Sequence, residues 1–257
     1  MSNEPLTTMQ KAFNLNMDLA KYGTIAEIGA GQEVSRFFFR AGGAAGTIAK
    51  TISAYDMDFS DAIYGKEEDH RYVTESRVKK MLDKEFRLVL ERVGYKRPKN
   101  STYFAFADTI TAKSYSQKSE CHGWLGIKLQ LSSGAEPCEI LLHVRMLDES
   151  NLMQQEAVGI LGVNLIYGAF YHYTDIEKLI RSLGDNLEWG RLEIDAFFSC
   201  SGVPKPLHKR KGGICAWYSK SDHSLRRCLL RRAERRDSRC LRLAFRSRNP
   251  VVCLPHA

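Results

Sequence analysis

The feature that most restricts the fold is residues 24–50, where a short apolar run is followed by closely spaced glycines and an aromatic-rich helical pattern. Residues 24–28 have the composition of a buried strand, and Gly29 and Gly31 enclose a single alanine. A strand, a glycine turn and a helix in this order direct the backbone N–H groups of the first helical turn beyond the strand end. The stretch predicts an α/β unit with an anion site at Gly29, Gly31 and Glu33.

Asp56 lies where a nucleotide site needs a second acid. It follows Gly31 by 25 residues, at the end of the second strand-like run TISAYDMD. A carboxylate at about this spacing binds a ribose hydroxyl in dinucleotide-binding folds. The alternative is a tight turn whose glycines only supply unusual backbone angles. Asp56, Asp58 and Asp61 together suit a divalent cation, but we favour capping of a solvated turn and predict no metal.

The chain up to residue 199 mixes helix and strand patterns. Helical periodicity covers residues 5–22, a helix beginning after the candidate N-cap Thr74, and residues 149–173. Three strand-like runs, the last two joined by a loop of hairpin length, cover residues 102–112, 123–132 and 139–147. The pattern predicts an α/β to α+β fold, with antiparallel strands packed by long helices. We expect one domain over residues 1–199, with 1–100 and 101–199 as alternative sub-units.

The best candidates for chemistry follow the third of these runs. Apolar and polar side chains alternate there, so His143 and Arg145 share one face, and Asp148 lies just past the end. Two cations beside an acid bind phosphate or carboxylate and supply a proton donor, although a half-exposed polar strand face gives the same pattern. Glu156, on an otherwise apolar helix, either lines a ligand pocket or bonds to a neighbouring strand. Catalytic candidates are His143, Arg145, Asp148 and Glu156.

Cys121 and His122 do not form a convincing site. One Cys–His dipeptide supplies too few ligands for zinc, and adjacent residues on a strand point to opposite faces. No GxSxG, GxxxxGK[ST] or HExxH motif occurs. The sequence therefore defines neither a reaction nor a cofactor.

Charge divides the chain near residue 197. From Cys200 onward there are 15 Lys and Arg against 3 Asp and Glu, which leaves 23 of the 38 basic and 27 of the 30 acidic side chains for residues 1–199. The longest apolar segment, residues 157–171, is shorter than the ~20 residues of a membrane span, and the N-terminus has no secretory pattern. We expect a cytoplasmic protein with reduced thiols and no membrane contact.

Residues 200–257 form a basic tail that is rich in cysteine and arginine and lacks stable periodicity. We expect it to be disordered. Arginines with aromatic residues nearby suit nucleic acid, but they do not keep to one helical face. Mixed Arg, Ser and Cys without a pattern is typical of a wrong reading frame, and favours a frameshift or a mis-joined end. Nucleic-acid binding is an alternative that holds only if the tail is genuine.

Several long motifs occur in order between residues 13 and 195, among them AEIGAGQEV, YDMDFSDAIYG, HVRMLD and QQEAVGILGVNLIYGAFY. On these motifs the chain resembles an uncharacterised family of considerably longer bacterial cytosolic proteins. Its members carry conflicting names, TonB-dependent receptor and nicotinate or nicotinamide nucleotide adenylyltransferase. Relatives continue with an FSGP-type motif where this chain has Phe198-Ser199-Cys200, so the resemblance implies a C-terminally truncated or frameshifted chain.

Neither family name suits the residues. A receptor requires a signal peptide and many barrel strands, and the adenylyltransferase requires a histidine-containing loop, whereas GAGQEVSRFF has no histidine. The function that remains is a cytosolic protein or enzyme that binds a nucleotide or another phosphorylated metabolite. A methyltransferase-like use of EIGAG is one form of it. The alternatives are a non-enzymatic interaction module with partners on residues 102–147, and nucleic-acid binding through the tail.

Overall fold

The computed structural model describes residues 5–68, 70–113, 120–199, 240–244 and 251–253. The strands are β1 (Lys21–Gly29), β2 (Ile48–Ser53), β3 (Thr102–Thr111), β4 (His122–Leu129), β5 (Cys138–Met146), β6 (Leu192–Ser199), β7 (Cys240–Ala244) and β8 (Val251–Cys253). The α-helices are α1 (Thr8–Met17), α2 (Glu33–Ala41), α3 (Met57–Tyr64), α4 (Glu75–Val93), α5 (Asn151–Tyr171) and α6 (Ile176–Leu183).

The described strands form one mixed sheet in the order β2-β1-β3-β4-β5-β6-β7-β8. β1 is parallel to both β2 and β3, and every neighbouring pair from β3 onward is antiparallel. The predicted mixture of an α/β unit and antiparallel strands is confirmed, including the hairpin of β4 and β5. Because β3 pairs with β1 along its length, strands from before and after residue 100 share this sheet.

Helices cover the sheet on both faces. α1, α2, α5 and α6 contribute to a large core with one side of β3, β4 and β5, whereas α4 packs on the opposite side of β1, β3 and β4. Neighbouring residues of β3 show this alternation, since Phe104 and Phe106 face the large core and Ala105 and Ala107 face α4. The sheet therefore buries apolar side chains on both faces around its centre.

The two longest helices follow the sequence closely. Thr74 caps α4 by accepting a hydrogen bond from the backbone N–H of Arg77, at 3.1 Å, as predicted. Helix α5 is buried, and its glycines permit close packing against α2. A Cβ atom on Gly159 would lie 2.6 Å from Cβ of Glu33, and one on Gly162 would lie 2.5 Å from a methyl group of Val34. The absence of a Cβ atom at both glycines therefore lets α2 and α5 approach closely.

The first helix is shorter than predicted. It ends at Met17 rather than near residue 22, because residues 21–23 pair with residues 102–104 of β3 and belong to β1. Expectations about residues 200–257 fall mainly outside the described residues, apart from the short strands β7 and β8 at the sheet edge. Within the described part of the chain, none of the helices combines the length and the apolar character that a membrane crossing needs.

Candidate functional site

The glycine turn after β1 is packed tightly against β3. Gly29 has a φ of 91°, which favours glycine, and a Cβ atom at Gly31 would lie 2.0 Å from Oδ2 of Asp108. The side-chain amide of Gln32 donates to the carbonyl oxygen of Gly29 and, at 3.1 Å, to the hydroxyl of Ser53. The turn is therefore held against β3 on one side and against β2 on the other.

Two buried acids lie beneath this turn. Glu27 of β1 and Asp108 of β3 are direct neighbours in the parallel register, with 3% and 0% of their surface exposed. Burial raises the pKa of Glu27, and Ser35 at the start of α2 opposes this shift through its hydroxyl and backbone N–H. Burial, and then the charge of Glu27, raises the pKa of Asp108 well above its ordinary value. Neither carboxyl oxygen of Asp108 has a hydrogen-bond partner of normal geometry among the described residues.

The predicted binding residues Gly29, Gly31 and Glu33 thus lie together, but they surround carboxyl groups of the protein itself. An anion placed at the start of α2 would meet Glu27, Glu33 and Asp108. Asp56 has a different role, since it caps α3 by accepting a hydrogen bond from the backbone N–H of Phe59 at 2.8 Å.

Asp61 of the YDMDFSD run is also occupied. The carboxylate of Asp61 binds the guanidinium of the fully buried Arg77 at 2.7 Å and accepts from the hydroxyl of Tyr72 at 2.8 Å. Across the described residues, no group of three or more His, Cys, Asp or Glu side chains is arranged to hold a metal ion.

Asp148 and Glu156, two of the four catalytic candidates, bind the same arginine. Nε of Arg191 lies 2.9 Å from the carboxylate of Asp148, and Nη2 lies 3.0 Å from Glu156 and 2.7 Å from the carbonyl oxygen of Met153. Arg191 precedes β6, and its three contacts join that strand to the end of β5 and the start of α5. This arrangement explains both acids as partners of a mostly buried cation.

His143 and Arg145 belong to a separate group on the α4 side of the sheet, the histidine cluster, which we define as His122, His143, Arg145 and Asp195. Nδ1 of His143 lies 2.5 Å from Oδ1 of Asp195, and Nε2 lies 3.1 Å from Nδ1 of His122. Nε of Arg145 lies 3.5 Å from Oδ2 of Asp195. The Trp124 ring flanks the cluster, with its centroid 4.8 Å from that of His143.

Asp195 joins the cluster from β6, beside a β-bulge. His143 pairs with Ala196 and Val144 pairs with Ile194, so that Asp195 is the extra residue of β6. Its carboxylate lies on the face that carries His143. Sequence alternation had placed the acid of this cluster at Asp148, whereas the structure supplies it from a strand about 50 residues later in the chain.

The histidine cluster is open to solvent in part. The main packing contacts of α4 fall on β1, β3 and β4, and on β5 its core cluster includes Leu141, two residues from His143. The exposed side-chain fractions are 18% for His143, 29% for Asp195 and 47% for Arg145. Burial, and then the proximity of His143, lowers the pKa of His122. The cluster therefore combines a neutral imidazole, a half-exposed guanidinium and an orienting carboxylate.

His122 and Asp195 are the members that the sequence analysis missed as functional residues. The signal for His122 was available, because the register of the predicted hairpin places it directly opposite Arg145, and Trp124 opposite His143. Asp195 lies on β6, and only the pairing of β6 with β5 reveals its proximity to His143.

No protein-family model matches the chain, and no curated protein is significantly similar in sequence. Among solved structures, the chain is similar to the competence/damage inducible protein CihA from Agrobacterium tumefaciens, at 16% identity over 65% of this chain and 97% of that chain, with a TM-score of 0.46. A competence or damage-inducible protein from Enterobacter asburiae is similar at 14% identity over 64% and 99%, with a TM-score of 0.43. A competence-damaged protein (CinA) superfamily member from Enterobacter cloacae is similar at 13% identity over 71% and 96%, with a TM-score of 0.41.

Proposed function

We propose that the protein binds a small anionic metabolite, such as a nucleotide or another phosphorylated molecule, at the histidine cluster. The observation that carries the proposal is the placement of Arg145 directly opposite His122 across the β4–β5 ladder. Side chains that are paired in this way have Cβ atoms about 4.5–5.5 Å apart, so one phosphate or carboxylate group can contact both. Arginine matches the planar, bidentate geometry of such anions.

The packing favours this face over the glycine turn. The turn is packed against the buried acids Glu27 and Asp108, so it leaves little room for an anion. At the histidine cluster Asp195 is already engaged by the ring of His143, Glu193 is paired with Arg145 across β5 and β6, and Glu120 acts on His122, while the guanidinium of Arg145 remains 47% exposed. A phosphate group can therefore approach Arg145 from solvent.

The surroundings also suit a ligand that is larger than a free phosphate ion. The indole of Trp124 lies beside His143 at the α4 side of the cluster and is only partly buried. An aromatic surface next to a cationic site is the combination that binds the ring and the phosphate of a nucleotide. We therefore expect a nucleoside monophosphate to bind more tightly than inorganic phosphate.

The test is isothermal titration of the full chain with AMP and with inorganic phosphate. We expect Arg145→Gln to weaken AMP binding by about 10–100-fold, because a hydrogen bond to a charged group is worth about 1.5–3 kcal/mol. Arg87→Gln is the matched control, since Arg87 is 68% exposed on α4 and pairs only with Glu91 among the described residues. Equal affinities in the two variants, or no heat with either ligand at millimolar concentration, would contradict an anion site here.

A further inference from the structure

We infer that the histidine cluster is also an acid–base relay in which His122 exchanges a proton with the bound ligand, while His143 and Asp195 orient it. This inference rests on the proposed function, because the ligand is the anion that Arg145 holds. It adds a chemical activity, and it assigns the reacting atom to a residue, His122, that has no obvious motif around it.

The hydrogen bonds determine which nitrogen carries each proton. The carboxylate of Asp195 only accepts, so Nδ1 of His143 must be protonated and must donate to it over 2.5 Å. When His143 is neutral, its other nitrogen, Nε2, is an acceptor, and Nδ1 of His122, 3.1 Å away, is then the donor of that bond. One carboxylate thus fixes the tautomers of two imidazoles in series.

The consequence for His122 is a free basic nitrogen. With its proton on Nδ1, the lone pair of the ring is on Nε2, and Nε2 has no hydrogen-bond partner among residues 5–68, 70–113 and 120–199. A free imidazole prefers the opposite tautomer, so the protein has to impose this one. A base whose lone pair is held toward an open face has the arrangement that general-base catalysis requires.

The charges around His122 are compatible with this role. Burial and His143 lower its pKa, and Arg145 acts in the same direction, whereas Glu120 and Asp195 oppose the shift. His122 is consequently neutral near pH 7 and able to accept a proton. Once it has accepted one, the carboxylate of Asp195 stabilises the positive charge that develops on the two rings.

The proton balance closes within the cluster. A proton leaves an O–H, N–H or acidic C–H group of the ligand for Nε2 of His122, and the electron pair of the broken bond stays on the ligand. The Nδ1 proton of His122 can then pass to Nε2 of His143, which leaves the positive charge on His143 beside Asp195. Return of the protons by the same route regenerates the starting state. The substrate class is an anionic metabolite with an ionisable group next to its phosphate or carboxylate.

The tautomer of His122 provides a direct test by ¹⁵N NMR of the full chain with labelled histidine. We expect His122 to be protonated on Nδ1 in the wild-type protein, and to shift at least partly to the Nε2-protonated form in Asp195→Asn. His172 is an internal control, because its Nδ1 lies 2.8 Å from the carbonyl oxygen of Tyr171 and must also be protonated, without any contact to Asp195. Its tautomer should be the same in both proteins.

Reactivity provides the second readout. Diethylpyrocarbonate modifies an unprotonated ring nitrogen, so His122 should react at Nε2 in the wild type, at least about fivefold faster than in Asp195→Asn, and AMP should slow the wild-type reaction. A wild-type His122 protonated on Nε2 overturns the relay, whether or not AMP binds. The expected tautomer without protection by AMP supports the orientation of His122 and contradicts the anion site instead.

Discussion

The two polar sites of this protein lie on opposite faces of one sheet, and they use carboxyl groups in opposite ways. Glu27 and Asp108 lie beneath α2, fully covered, and no described group neutralises Asp108. Asp195 lies on a face that α4 leaves partly open, and an imidazole and a guanidinium contact it. The covering helix decides whether a carboxyl group is sealed in the interior or reaches solvent and cationic partners.

The physical reason is the cost of burying a charge. An isolated carboxylate in an apolar interior is so unfavourable that its pKa rises until it binds a proton. Asp108 follows this rule. Asp195 is partly exposed and contacts an imidazole and a guanidinium, so it has the partners that Asp108 lacks. The glycine turn therefore contributes to packing, whereas the histidine cluster supplies the accessible polar groups.

The strongest test of this difference between the two sites is to add a side chain at the glycine turn. Gly31→Val would place its first carbon atom 2.0 Å from the buried carboxyl group of Asp108, where real contacts do not occur. We expect a loss of about 3 kcal/mol or more in the free energy of unfolding, measured with urea, because overpacking at a rigid site forces backbone shifts. AMP binding by the fraction that remains folded should be unchanged.

Gly94→Ala is the control for this substitution. Gly94 has right-handed helical backbone angles, and an added Cβ would meet nothing closer than a Leu90 methyl group at 3.9 Å. Alanine at such a position changes stability by less than about 1 kcal/mol, in the favourable direction. If Gly31→Val were as stable as Gly94→Ala but no longer bound AMP, the turn would be the ligand site and the comparison would be reversed.

A second substitution sharpens the assignment of Asp148 and Glu156. In Arg191→Met the mostly buried carboxylate of Asp148, 7% exposed, loses its cationic partner. We expect a loss of about 2 kcal/mol in urea denaturation, in the range typical of a buried polar group left without its partner. The histidine tautomers and AMP affinity should stay as in the wild type. A loss of AMP binding with unchanged stability would instead place these acids in a ligand site.

The elements that could be predicted from the sequence are those whose pattern is local. The cap at Thr74 and the hairpin of β4 and β5 depend on residues only a few positions apart, and both are present. The helical periodicity near residue 20 was overruled by pairing of β1 with β3, about 80 residues later in the chain. Local propensity cannot anticipate a long-range partner of this kind.

The sites were harder to predict because both depend on contacts between distant strands. Glu27 and Asp108 become neighbours only through the parallel register of β1 and β3. Asp195 reaches His143 only through the pairing of β5 with β6, and one-residue changes of register invert the face that a side chain occupies. The alternation of polar and apolar residues showed that His143 and Arg145 lie on the same face of the strand. It gave no information about Asp195, the acid that contacts them.

The smallest expected effect, and the most specific, concerns the buried acid Asp108. Its pKa in the folded protein is raised by burial, so the unfolded chain releases this proton at lower pH than the folded protein does. The stability that the protonated acid contributes is present below the ordinary carboxyl range and is lost as pH rises toward the folded pKa.

Asp108→Asn carries no such proton and can donate its amide hydrogen to Glu27. Relative to this variant, the wild type should lose at most about 1.4 kcal/mol per pH unit above pH ~4, measured by urea unfolding at several pH values. Parallel curves for the two proteins would mean that Asp108 is charged and paired after all, which would make the covered site electrostatically similar to the open one.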